Sequence, residues 1–451
     1  MQKFIMNLPT MKELELTLFQ QLQAMFAEAL VRCLEELDNW IMEHRDRSRF
    51  RLHELRHVTM STSFGEITFA RRLYRDRKKR TYVYLLDQSL SFDGQSGISP
   101  RLEEWAVELA TVGPSYHEAA RQIEALLGYQ AISHETIRQR LMAKAEQAAA
   151  VTPKEKKKAD VLFVEVDGLF TKLQRTRRRS KENRMAVIHE GWERTGNRVK
   201  LRNKTHYLHQ RSGDTFWEGF GDFLVDHYDV DEETWLVVNG DGAEWIGECT
   251  SYFHRCIYTL DRFHVARDLK HYLRDLPTHW KAACRALAAY DPQGLLAAVD
   301  AVPSDRIRED WREDWERFKA FLHRHQSHLI DYREVLEARG IDTKGMRPMG
   351  SAESQMRVFA KRTKRGGYSW SERGVQAMLR SIIARKEGHS FFTTDEAIET
   401  SDKKPAAPFR LQQLFKKQKE VIAGVTNGML RTLQTSRQSS PLGMALKGLR
   451  G

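Results

Sequence analysis

Three acids and an Asp-His pair stand in this sequence where side chains of their kind could do chemistry. Asp167 follows the apolar, β-branched run VLFVEV at 161–166 and precedes a glycine. Strand alternation puts Val164 and Val166 on one face and Phe163, Glu165 and Asp167 on the other. A carboxylate there is costly unless a cation or hydrogen-bond donors meet it. Asp167 therefore reads as the first metal ligand of a nuclease-type site, against a structural reading as a turn-forming Asp-Gly pair. Asp241 lies 74 residues on, after a second apolar strand (235–238) and between Gly240 and Gly242. With Glu244 three residues later it reads equally as a helix cap. A third apolar strand (256–260) runs into Asp261-x-x-His264, whose acid can also cap the helix that follows. Glu353 comes 112 residues after Asp241, in the first turn of a helix, where the dipole favours an acid in any case. Carboxylate oxygens are the ligands that Mg²⁺ prefers.

The elements that would position these residues are legible from period and punctuation. Residues 11–45 read as one amphipathic helix, with Leu14, Leu18, Leu22, Phe26, Leu30 and Leu34 at four-residue spacing, to be packed locally or used for dimerisation. From 51 to 100 the period shortens to that of a small β-hairpin unit, FGEITF and TYVYLLD being its strand-like segments. In 101–150, Ser115-x-x-Glu118 is a capping box, Gly128 ends that helix, and Ser133 caps a second containing Ile137 and Leu141. Helix, glycine-containing turn and helix make a helix-turn-helix layout, with Arg138, Gln139 and Arg140 offered to DNA, or else an ordinary helical hairpin. A linker at 150–160 leads to the core: 160–265 as its first part, its first strand ending at Asp167, then a basic loop and a strand near 185–189. A charged helical insertion spans 266–345, its tryptophans 311 and 315 read as core. The last core helices take 346–386, with Ser369-x-x-Glu372 as a capping box. A weakly patterned tail, 387–451, holds one helix near 409–422.

Charge narrows the partners. The net charge of +12 is gathered in basic runs at 71–80, 154–158, 175–184 and 357–365. One such run is an ordinary solvated face; four on one chain favour a polyanion, most simply nucleic acid. Arg175, Arg177, Arg178 and Arg179 in the second-last run, and Arg357, Lys361 and Lys364 in the last, are the candidates for phosphate contacts. Four cysteines without a CxxC pair fit a reducing cytoplasm and argue against a disulfide scaffold. Cys249, His254 and Cys256 match no common zinc spacing. No run is long enough to span a membrane, and the first residues turn acidic too early for a signal peptide.

Each acid alone is weak evidence; the order strand-end acid, later strand-end acid, late-helix acid is a pattern. It resembles the RNase H-like DDE transposases. The segments ValAspGly, GlyAspGlyAlaGluTrpIle, AspArgPheHis and SerAlaGluSerGlnMetArg, with FGEITF and YLLD, resemble more narrowly the bacterial insertion-sequence transposases of the ISLre type. That family was long called uncharacterised and is distantly similar to the Mutator-like group. The resemblance covers nearly the whole chain. It implies an α/β fold: an RNase H-like mixed-sheet catalytic domain with an α-helical insertion, preceded by an N-terminal helix (1–50) and the hairpin and helix-turn-helix regions. It implies Asp167, Asp241 and Glu353 as a triad holding two Mg²⁺ ions, with Mn²⁺ able to substitute, and Asp261 and His264 as site-proximal. The implied activity is strand cleavage and strand transfer at the inverted-repeat ends of an insertion sequence. Its partners are double-stranded DNA and further copies of the chain, in a nucleoid-associated cytoplasmic setting. The rival expectation is a DNA-binding regulator descended from such an enzyme.

Overall fold

The computed structural model describes residues 10–148, 156–196, 198–210 and 213–388. The expected helix near 409–422 and the first part of the expected linker, 150–155, lie outside them. The described residues form two compact units, one up to Arg140 and one from Leu141 onward.

In the first unit, α1 (Met11–His44) starts at a reciprocal Thr10–Glu13 capping box. Its second half lays Leu34 and Ile41 on a three-stranded antiparallel sheet, β1 (Phe50–Thr62), β2 (Gly65–Asp76) and β3 (Thr81–Tyr84), whose Met60, Ile67, Phe69 and Tyr74 complete the core. Its first half leaves Leu14, Leu18, Leu22 and Phe26 exposed. The strand read through YLLD stops at Tyr84, and α2 (Leu85–Ser89) begins there. Asp87 is drawn inward to Arg71 and to the Gly94 amide, which a continuing strand would forbid. So the basic run at 71–80 is only partly a surface. Arg71 is buried under the Tyr84 ring, Arg72 bonds Asp38 at 2.5 Å, and Arg75 and residues 77–80 are exposed.

Three helices follow: α3 (Pro100–Val112), α4 (Tyr116–Leu127) and α5 (His134–Ala148). Only half of the expected box at 115–118 forms. Ser115 accepts from the Glu118 amide, but the Glu118 side chain turns to Arg121. Gly128 ends α4 at φ +78°, a conformation that favours glycine, and Ser133 accepts from the Thr136 amide.

The second unit is built on β4 (Val161–Lys172), β5 (Ser180–His189), a separate two-stranded pair β6 (Trp192–Thr195) and β7 (Arg198–Leu201), and then β8 (Thr205–Leu208). After α6 (Phe216–His227) come β9 (Trp235–Gly240), α7 (Glu244–Gly247), α8 (Cys249–Tyr252) and β10 (Cys256–Leu260). The sheet is mixed, in the order β10-β9-β4-β5-β8. Strand β5 is antiparallel to both β4 and β8, while β9 and β10 run parallel to β4. Leu162, Val164, Leu236 and Val238 face α6, against Phe216, Trp217 and Phe220. Each such buried side chain contributes roughly 1.5–3 kcal/mol. The opposite face carries Val161, Phe163, Trp235, Val237 and Ile257.

The first strand does not end at Asp167. It continues to Lys172 because β5 pairs with it throughout, from Phe163 opposite His189 to Lys172 opposite Ser180. On its other edge the ladder with β9 stops at Glu165 opposite Asn239, so Asp167 lies just beyond the parallel part of the sheet.

Next come α9 (Arg262–Leu273), α10 (Pro277–Ala288), α11 (Pro292–Asp300), α12 (Arg312–Arg324) and α13 (Tyr332–Glu337). The first four share a core that includes Leu269, Leu287, Leu295, Val299, Trp315 and Leu322, with Trp311 packed against it. Tyr332 and Leu336 of α13 close the face that carries Phe163. Helices α14 (Ala352–Thr363) and α15 (Glu372–Lys386) end the described chain. The cap of α15 is Ser371 and not Ser369, because Trp370 is held extended by backbone bonds to Lys172 and Gln174. No helix of the described residues is long and apolar enough to cross a membrane.

Candidate functional site

Strand register brings the strand-borne acids into one row. In the parallel ladders Glu165 faces Asn239, and Asn239 faces Thr259. Side chains repeat every second residue, so Asp167, Asp241 and Asp261 share the next position along the same face, continuing that of Phe163, Val237 and Ile257. Adjacent strands lie about 4.8 Å apart. The fourth acid arrives from a distance: Glu353 is in the first turn of α14, which packs on β4.

Asp167 is half-buried, and its Oδ1 accepts from its own neighbour, the Gly168 amide, at 2.7 Å. Burial pushes its carboxyl up to about 6; the charges of Asp241 and Glu353 add to this, while the Gly168 amide and His264 oppose it. Asp241 does not cap a helix. Its Oδ1 accepts from the Ala243 amide at 3.1 Å, and α7 starts one residue after that with no side-chain cap. The two flanking glycines have separate reasons. A Cβ at Gly240 would strike Ile246, and Gly242 sits at φ +95° against the Phe321 ring. Asp261 is buried; it caps α9 through the Phe263 amide and also bonds His264 Nδ1 at 2.8 Å. That bond raises the His264 imidazole above its ordinary range, against the opposing effect of burial. The Asp261–His264 pair lies near enough to Asp167 for the imidazole to act on that carboxyl.

The donor set is carboxylate oxygen, which suits a hard divalent cation, and burial is the main reason that Asp167 is raised. Among the described residues, no group of three or more His, Cys, Asp or Glu side chains has its donors gathered as they would be around a metal ion. Asp167 and Asp241 are instead satisfied locally, by one backbone amide each.

The family model described as "Uncharacterised protein family (UPF0236)" matches residues 5–398. The chain belongs to this family. The UPF0236 protein of the vanSb 3′ region in Streptococcus gallolyticus is 27% identical over 388 residues, covering 84% of this chain and 83% of that one. A UPF0236 protein of Caldanaerobacter subterraneus is 24% identical over 379 residues, covering 80% and 75%. Another from that organism, 24% identical over 375 residues and covering 80% and 74%, is named for eleven separate loci of one strain. Among solved structures, the Drosophila P element transposase strand transfer complex aligns with 64% of this chain and 79% of its own. Its TM-score is 0.25 and its identity 10%, a likeness too distant to carry an argument.

The basic residues of this UPF0236 chain are unevenly available. Arg175, Arg177, Arg178 and Arg179 are exposed at the β4–β5 tip, as are Arg357 and Lys361 on α14 and Lys364 just past its end. The structure joins these two runs: the base of the β4–β5 tip bonds Trp370, just beyond α14, and Lys181 pairs with Glu372. Arg362, in the same run, is buried beneath Tyr368 and Trp370. On α5, Arg138 and Gln139 bond Glu135, and Arg140 donates to the Ser96 carbonyl at 3.1 Å. Of these three, Gln139 is exposed and Arg138 and Arg140 are half-buried.

Sequence reading passed over Glu165, Asn239 and Thr259. Glu165 is fully buried, and its carboxylate accepts from the amides of Gly350, Ser351 and Ala352, from Ser351 Oγ and from Asn239 Nδ2, at 2.9–3.2 Å. Burial pushes its carboxyl up, and the Ser351 and Gly350 donors pull it back. Thr259 Oγ1 donates to Asn239 Oδ1 at 3.2 Å. The signal was present in the sequence: each strand-borne acid is preceded, two residues earlier, by one polar residue in an otherwise apolar strand.

Proposed function

We propose that this chain is a metal-dependent DNA transposase of the DDE class, of the ISLre type, with an RNase H-like core. What supports the reading is that Asp241, just after β9, and Glu353, on a helix far along the chain, both lie near enough to Asp167 of β4 for their charges to act on its carboxyl. The strand order, three antiparallel strands followed by two parallel ones, supports the RNase H-like assignment. Naming one relative for eleven loci of a single strain fits a gene that copies itself through a genome.

Asp167, Asp241 and Glu353 would hold two divalent ions. Bound there, such ions stabilise the attacking and leaving oxygens of an in-line phosphoryl displacement. The chain's own groups do the rest. Asp167 and Asp241 are each tethered by a single amide, so a side-chain rotation frees them to ligate. His264, held in place by its bond to Asp261, would stand near Asp167 to meet a scissile phosphate. Arg175, Arg177, Arg178 and Arg179 with Arg357, Lys361 and Lys364 neutralise backbone phosphates, and α4–α5 contributes to recognition of the element ends. The activity proposed is cleavage at terminal inverted repeats and joining to target DNA, by a homodimer or higher oligomer.

The test uses purified protein with DNA carrying the inverted repeats that flank its gene. Wild type should nick at the repeat ends with Mg²⁺ or Mn²⁺ and then join ends to target. Asp167→Ala, Asp241→Ala and Glu353→Ala should each lose at least a hundredfold in nicking while binding the repeats with unchanged affinity. Full activity in any variant removes that residue from the triad. DNA binding without metal-dependent nicking in wild type selects the regulator, and cutting of branched DNA without joining selects a structure-selective nuclease.

A further inference from the structure

We propose that Glu165, with Asn239 and Thr259, is a positioning residue for this site: a buried carboxylate that sets where α14 begins and so where Glu353 stands relative to Asp167 and Asp241. The inference rests on the catalytic reading above and adds a role to residues outside the triad.

Glu165 receives five donors and offers none, so its lone pairs are spent and it is not itself a ligand. Three of the donors are the backbone amides of Gly350, just before the helix cap, and of Ser351 and Ala352, where a helix start leaves N–H groups without intrahelical partners. Ser351, the residue before α14, makes no side-chain cap to its own helix; its hydroxyl goes to Glu165 instead. The cap of α14 is therefore supplied from β4. Since Glu165 is two residues before Asp167, and Ser351 two before Glu353, one contact fixes the offset between these two acids. The same carboxylate bonds Asn239, two residues before Asp241, and Asn239 bonds Thr259, two before Asp261. A buried polar row thus lies one step beneath the row of acids, and it ties together every element that contributes one. Gln355 adds a second tether to α14, accepting from Lys204 and Lys386 at 3.2 Å each. Outer groups that orient metal ligands typically govern ten- to hundredfold in metal affinity.

The experiment compares wild type with Glu165→Gln and Ser351→Ala. It measures Mn²⁺ binding by electron paramagnetic resonance, nicking of inverted-repeat DNA across a Mn²⁺ titration, and repeat binding by gel shift. Glutamine keeps the shape but turns an –NH₂ toward backbone amides that can only donate, at either oxygen position. Glu165→Gln should bind DNA as wild type does, raise the Mn²⁺ half-saturation tenfold or more in both assays, and recover most of the nicking rate at saturating Mn²⁺. A general loss of folded protein would lower the amplitude and leave the half-saturation in place. A folded Glu165→Gln protein with unshifted half-saturation overturns the proposal. If that variant fails to fold, Ser351→Ala decides, since it removes a single donor: a smaller rise in half-saturation supports the role and no rise rejects it. Wild-type protein that neither binds Mn²⁺ nor nicks removes the catalytic reading and this one with it. Wild-type binding beside an unshifted mutant removes this one alone.

Discussion

Buried ionisable groups in this chain divide into those with partners and those kept neutral. Glu165 and Asp261 are almost fully buried and are surrounded by donors, which is what makes a carboxylate tolerable away from water. His189 is the other kind. It is fully buried, stacks on Phe163 at 5.2 Å, exchanges its Nδ1 contact with Gly191, and has no protein partner for Nε2. Burial pushes its imidazole down to about 4 from an ordinary 6.5. Between those values the unfolded chain binds the extra proton and the folded one does not, so stability falls as pH falls. The contribution is complete above pH 6.5 and gone below 4, and amounts to at most about 3 kcal/mol. Urea midpoints measured from pH 7 to 4 should fall in wild type and fall less steeply in His189→Phe. Parallel curves for the two proteins would show that His189 stays hydrated.

At the scale of elements, the site depends on where β9 and β10 stop, where β4 leaves the parallel ladder and where one helix starts. The β9–α7 connection carries Asp241 between two glycines, and Gly242 is the stringent one. Its φ of +95° disfavours any other residue, and a Cβ there would lie 2.5 Å from the Phe321 ring of α12. Gly242→Ala should lower stability by about 1–3 kcal/mol and reduce nicking further, because the turn that aims Asp241 must move. Thermal melts and the nicking assay check both effects. A wild-type melting midpoint would mean that the turn relaxes without cost. The helical segment between β10 and α14 has a core of its own around Trp315, so its packing can tolerate changes that the sheet end cannot.

For the whole molecule, the relevant quantity is how basic surface is laid out from the acids. The β4–β5 hairpin carries Asp167 in mid-strand and arginines at its tip; five residues of strand from Asp167 to Lys172 span about 17 Å. That is about five base pairs of axial rise, so the tip would grip the backbone some five pairs from the cut. Replacing Arg177, Arg178 and Arg179 by Ala should flatten log K against log salt by up to about 2.7, at about 0.9 for each phosphate that is no longer neutralised. Binding measured between 50 and 200 mM salt reads this directly, and an unchanged slope would take the tip off the DNA path.

What the sequence determined by itself was local. Period and apolar runs gave the strands at 161–166, 235–238 and 256–260 and the helices from 11, 116, 134 and about 350. Alternation gave the face on which Asp167 lies, because strand geometry repeats every two residues whatever the partner. Tertiary structure decided the rest. It set the register that lines Asp167 with Asp241 and Asp261, since nothing in one strand specifies its neighbour's offset. It carried the first strand on to Lys172, because β5 was there to pair with it, and it moved the α15 cap to Ser371. It turned Arg71, Arg72 and Arg362 from surface charge into internal partners. It also gave Glu165 its work, holding the start of a helix 186 residues away through Ser351, a contact between groups whose separation along the chain carries no trace of it.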